Sequence, residues 1–212
     1  MAVKVYLEVA KKKVFAVSLA WPGWARSGKD EESALDALAT YAPRYAVVAS
    51  AAELKFPASA SAFEVVERIP GDASTEFGVP GKLASTDSEP PTAREAAKFV
   101  ALVSASWRVF DEVSAISPEE LRKGPRGGGR DRDKMITHVI ESEAGYARQL
   151  GIKHRPPALG DTEAIGALRE DILGALRSRE GGKWPVRYAA RRIAWHVLDH
   201  LWEMEDRSTP EA

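Results

Sequence analysis

Two of the chain's four histidines, His196 and His200, stand four residues apart in residues 191–206. That spacing stacks side chains on one face of a helix, so the two imidazoles can converge on a single point. Convergent imidazoles are what a divalent transition metal asks of a protein. Around them Ile193, Val197, Leu201 and Met204 keep helical spacing as an apolar stripe, with the histidines on its margin, where core meets solvent. The same pair can also merely cap the edge of a core, and a third ligand is what would decide for a metal.

Composition narrows the chemistry. The chain has no cysteine, which excludes disulfides, thiolate sites and a cysteine nucleophile and leaves His, Asp and Glu as ligands. Its 30 basic and 31 acidic residues nearly cancel, so nothing in the charge balance suggests nucleic acid or an anionic membrane as partner. No apolar run approaches the roughly 20 residues of a membrane span, and the N-terminus lacks the pattern of a signal peptide. A cytoplasmic protein is the expectation. A length of 212 residues leaves room for two small domains.

The histidine stretch needs a helical setting, and the second half of the chain supplies one. Thr92 and Glu95 form a capping box before a helix carrying Phe99, Leu102, Val103, Val109, Phe110 and Val113. A second helix is expected from Asp131 to about Leu150, with Met135, Val139, Tyr146 and Leu150 on one face and Gly151 ending it. His138 lies at the margin of that face, beside the small residues Ser142 and Gly145. A third helix starts at Asp161 or Thr162 and stops at Gly181, and a fourth follows Pro185 and holds the histidine pair. His154, among residues 153–157, reads as an exposed loop residue. Residues 123–130 are too rich in glycine for regular structure, and read as a mobile connection that could serve as a flap over a nearby site.

The first half reads differently. Val3 to Val9 alternates with period two, and Val14 to Leu19 follows a lysine turn, so a β-hairpin is expected. Residues 21–28 read as a turn-rich bend, with Trp21 and Trp24 buried against a neighbouring layer. A helix opened by Asp30, Glu31 and Glu32 is broken or kinked by Pro43, and residues 63–69 read as a further strand. The expectation is a small ββαβ layer ahead of an all-α antiparallel four-helix bundle, an α+β protein. The Gly, Ser, Thr, Pro and Asp of residues 72–91 have linker composition, which puts a boundary between domains at 1–80 and 90–207.

Residues 3–42 resemble the HicB-like family through Pro22, Gly23, Gly28, Asp30, Glu31, Glu32, Ala34 and Leu35. The resemblance implies a degenerate ribonuclease-H-like fold used as a binding or accessory module. Residues 90–207 resemble the DinB/YfiT-like four-helix-bundle metalloproteins, with one histidine on the second helix and HxxxH on the fourth. What that implies is a metal site of His138, His196 and His200 and a metal-dependent hydrolase or thiol-dependent transferase acting on a small molecule. Spacing between the second and fourth helices is compact, leaving less room for a substrate-covering insertion.

Three neutral imidazoles would leave a divalent ion, zinc or nickel, with an open position. Glu141 and Glu203 each follow a ligand by three residues and are the candidate catalytic acids; Asp199 adjoins a ligand. All three also fit as ordinary exposed helix charges. The competing class is a non-catalytic, metal-stabilised binding or stress-response protein. A second apolar stripe, Trp195, Leu198 and Trp202, faces away from the histidines, and is expected to pack on the N-terminal layer or on a second subunit in a homodimer.

Overall fold

A computed structural model describes residues 2–57, 62–124 and 129–208. It is an α+β fold with a mixed four-stranded sheet and seven helices. The strands are β1 (Val3–Val9), β2 (Val14–Ser18), β3 (Ala25–Gly28) and β4 (Phe63–Pro70), in the order β3-β2-β1-β4. The helices are α1 (Glu31–Thr40), α2 (Ala42–Ala51), α3 (Ala73–Phe77), α4 (Ala93–Ile116), α5 (Arg132–Gln149), α6 (Thr162–Ser178) and α7 (Val186–Ser208).

The expected ββαβ layer is corrected to three strands, two helices and a fourth strand. β3 pairs antiparallel with β2, and its sequence Ala-Arg-Ser-Gly has neither alternation nor β-branched residues. It is a strand because Gly23, at φ +90°, turns the chain back along β2 and not because of local preference. Pro43 does not merely break a helix. It sits in the first turn of α2, where its missing N–H and fixed φ do no harm. β4 runs parallel to β1, and a parallel neighbour needs a crossover, which α1 and α2 provide.

Residues 72–91 are packed, contrary to their linker composition. They hold α3 and a 3₁₀ turn at Ser85–Ser88. Glu8 on β1, fully buried, accepts hydrogen bonds from the Thr75 hydroxyl and from the Gly81 and Lys82 N–H groups. Asp87, equally buried, accepts from the Ala84 N–H at 2.7 Å and forms an ion pair with Arg191 of α7. Small polar residues build such turns as readily as they build flexible tethers, so composition alone could not tell the two apart.

Four long helices position the histidines. α4 packs on α6 and α7, and α5 packs on the same two helices. One apolar core runs through both halves of the chain, joining Val5, Leu38 and Tyr45 to Phe99, Leu102, Ile193 and Leu201. Trp195, Leu198 and Trp202 are buried within the chain itself. Trp195 meets Phe15 edge-on at 6.2 Å, Trp202 meets Tyr41 at 5.0 Å, and Leu198 closes on Gly23 so tightly that a Cβ there would lie 2.7 Å from its Cδ1. Trp21 and Trp24 are buried too, Trp24 donating to the Leu38 carbonyl at 3.0 Å. No helix among the described residues is long and apolar enough to cross a membrane. Part of the expected glycine-rich flap, residues 125–128, lies outside the described residues.

Candidate metal centre

α5 starts without a side-chain cap after Asp131 and brings His138 to the middle of its second turn, one turn before the buried Glu143 and Ala144. α7 carries His196 and His200 on the side that meets α5. The three rings come together. His138 Nε2 and His196 Nε2 lie 3.2 Å apart, and ring centroids are separated by 5.0 Å (138 to 196), 5.0 Å (138 to 200) and 4.7 Å (196 to 200). One nitrogen from each ring lies within 4.8 Å of the other two, close enough to hold one ion. A tetrahedral ion bonded at about 2.05 Å sets two ligand nitrogens roughly 3.3 Å apart, which matches the closest pair.

The protonation state agrees with that role. Burial pushes the His196 imidazole down to about 2, with His200, Arg192, His138 and Arg130 adding positive-charge repulsion. Burial likewise brings His138 down to about 4, and Arg130 and His200 contribute. Both rings are therefore neutral near pH 7, the form whose lone pair binds a metal.

His200 is oriented by an acid. Its Nδ1 is 3.1 Å from Glu203 Oε2, which leaves Nε2 for the centre. Glu203 in turn accepts from Arg207 Nη1 at 2.8 Å, and these two bonds, that to His200 first, hold its carboxyl below the usual carboxylate range. Arg207 is 8% exposed and also donates to the carbonyls of Arg122 and Arg130, at 2.6 and 2.8 Å. His196 has no such support: its Nδ1 is buried without a hydrogen-bond partner among the described residues. An orphan of that kind costs about 1–3 kcal/mol. The donor set fits a divalent ion, with one ring nitrogen left over.

The candidate acids part company. Glu203 reaches a ligand; Glu141 does not, but it is exposed and lines an open cleft of 340 Å³ together with Arg130, Asp133, Lys134, Thr137 and His138. Asp199 turns away and pairs with Arg26 at 3.0 Å, joining α7 to β3. His154 is half-buried and bonds Asp171 at 2.7 Å, so it is not simply exposed. Sequence reasoning missed Arg207, although Glu203 and Arg207 stand at the i, i+4 spacing of a helical ion pair. It also missed Tyr146 as a neighbour of the site, its ring edge-on to His196 at 5.5 Å. Arg130 carried no signal, since it follows a glycine run and only the fold brings it beside His138; Lys134, four residues before His138 on α5, had the helical spacing of a neighbour and was missed.

The chain matches no protein-family model, no curated protein and no solved structure.

Proposed function

We propose that this chain is a metal-dependent enzyme acting on a small molecule, by hydrolysis or thiol transfer, with one divalent ion held by His138, His196 and His200. The observation that carries the reading is the convergence of three imidazoles from two helices within 4.8 Å. Zinc or nickel suits such a nitrogen set, and the DinB-like reading of residues 90–207 agrees with it. A bound ion would supply Lewis acidity and lower the pKa of a coordinated water or thiol.

The chain's own residues do the rest. Glu203 fixes the His200 ring through Nδ1, so that its other nitrogen is presented and not rotated away. Glu141 stands on the cleft wall one turn from His138, in reach of solvent, and is the carboxylate placed to take or return a proton. Tyr146 stands edge-on to the His196 ring at 5.5 Å and is itself backed by Trp184 at 5.2 Å.

A structural ion is the second reading, favoured by the depth of His196, which is only 7% exposed. In that reading the HicB-like layer recognises a partner and the ion merely supports the bundle.

Elemental analysis after loading with zinc or nickel tests the proposal. Close to one ion per chain is expected in the parent, with loss in His138→Ala and in His200→Ala. A parent that retains no ion after dialysis would end the metal reading. An ion that exchanges within minutes while the fold persists favours catalysis, and one whose removal unfolds the chain favours structure.

A further inference from the structure

We infer that the small molecule taken by this centre bears an oxyanion group, a carboxylate or a phosphate, and that Arg130 and Lys134 receive it beside the histidines. The inference rests on the metal reading above and adds the substrate class.

Three observations carry it. First, a cleft of 340 Å³ opens on His138, and its basic walls are Arg130 and Lys134. That volume suits a small molecule. Second, neither cation is in an ion pair among the described residues. Asp133, the acid closest in sequence, is held by Arg132 at 2.8 Å, and Asp131, whose carboxyl feels the Lys134 charge, is held by Lys123 at 3.2 Å. Glu141 remains as one unpaired carboxylate against two unpaired cations. Third, Arg130 is not loosely placed. Its carbonyl accepts from Arg207, the same buried guanidinium that grips Glu203, which in turn orients His200. The backbone of one recognising cation and the ring of one ligand therefore hang on a single anchor.

Charge adds its own argument. Three imidazole ligands bring no negative charge to the ion itself, and Glu203, behind His200, already shares its charge with Arg207, so much of the charge of a divalent ion would stay uncompensated. Two exposed cations beside such a centre repel it unless an anion joins them. A guanidinium offers that anion two parallel N–H donors and an ammonium a point charge, the usual way in which carboxylates and phosphates are gripped. A cationic substrate would be repelled there, and an uncharged one would gain nothing from the two charges.

The test uses full-length protein loaded with Co²⁺, whose visible absorption reports on its ligands, titrated separately with inorganic phosphate and with succinate. Comparison is with Arg130→Ala, Lys134→Ala, the double variant and Arg130→Lys. Both side chains are exposed, so the variants are expected to keep the parent's circular dichroism and its cobalt stoichiometry. At least one of the two anions should bind the parent, about tenfold more weakly to each single alanine variant and about a hundredfold more weakly to the double, with partial recovery in Arg130→Lys. Which anion binds more tightly identifies the oxyanion. If cobalt binds but neither anion does, or both bind the double variant as they bind the parent, the substrate inference is overturned and the metal site stands. If cobalt itself is not retained, both fall.

Discussion

The two faces of α7 follow opposite rules. Toward the first half of the chain, its charged groups find partners of opposite sign: Asp199 meets Arg26 of β3, Arg191 meets Asp87 of the 3₁₀ turn, and Glu205 meets Arg44 of α2 at 2.5 Å. Its tryptophans there lie against Phe15 and Tyr41. Toward α5, three nitrogen bases face one another with one acid supporting one ring; His196 Nδ1 is buried without a partner among the described residues, as Arg191 Nε and Trp195 Nε1 are on the other face, so what sets this face apart is the gathering of like bases. A chain selected only for stability would fill the second face as it fills the first. Like bases held close together, on a helix whose other charged groups meet partners of opposite sign, are where function is to be sought.

The strongest way to break this comparison is to damage the packed face and ask whether the other face notices. Trp202 is 2% exposed, against Tyr41 and below the Arg26 guanidinium. Trp202→Ala is expected to cost about 3–5 kcal/mol by equilibrium urea denaturation. The protein that remains folded should bind its ion with the parent's stoichiometry. A Trp202→Ala chain that keeps its stability but loses the ion would show that the faces are not separate.

How much of this could be read from the residues follows the same division. The helix ends of the second half were legible because they are local. Thr92 caps α4 with Glu95, Gly151 leaves α5 at φ +85°, and Asp161 caps α6. The His196 and His200 pair was legible because helical spacing fixes which residues share a face; His138 was expected to join them from its place at the margin of its own helix and from the resemblance of residues 90–207, and the structure brings the three together. What stayed hidden depends on partners far along the chain. β3 is a strand only because β2 is beside it, and residues 72–91 are ordered by Glu8, 67 residues from Thr75, and by Arg191, 104 residues from Asp87. No window of sequence contains both members of such pairs. Arg130 was missed for the same reason, since its tie to the site runs through its backbone carbonyl to Arg207, whereas Arg207 itself stood in plain view four residues after Glu203.

A subtler probe sharpens the comparison from the histidine side. Glu203 joins His200 to Arg207, and Glu203→Gln keeps the shape while weakening the acceptor. Support of that kind is worth about 10–100-fold in metal affinity. Calorimetric titration with zinc should show a loss in that range, with the urea midpoint of the metal-free protein changing little, because the carboxylate lies at the edge of the packed core. An unchanged zinc affinity would mean that His200 needs no orienting partner.

The smallest effect belongs to the first turn of α7, where Arg187 grips Glu95 of α4 through two bonds of 2.8 and 2.9 Å. Those bonds, opposed in part by burial and helped by Thr92, hold the Glu95 carboxyl down at about 2, against an ordinary 4.5. A carboxylate whose folded value is depressed stabilises the fold fully above its unfolded value, and that contribution falls away as the pH drops from 4.5 toward 2. Because the Glu95 side chain is 40% exposed, solvent screens the pair and the contribution is about 1 kcal/mol or less. Glu95→Gln keeps the capping acceptor for Thr92 and removes the charge. Parent and variant should therefore differ in urea midpoint at pH 7 and converge as the pH is taken from 5 down toward 2; a gap that is the same at both ends would show that the contact holds α7 by shape and not by charge.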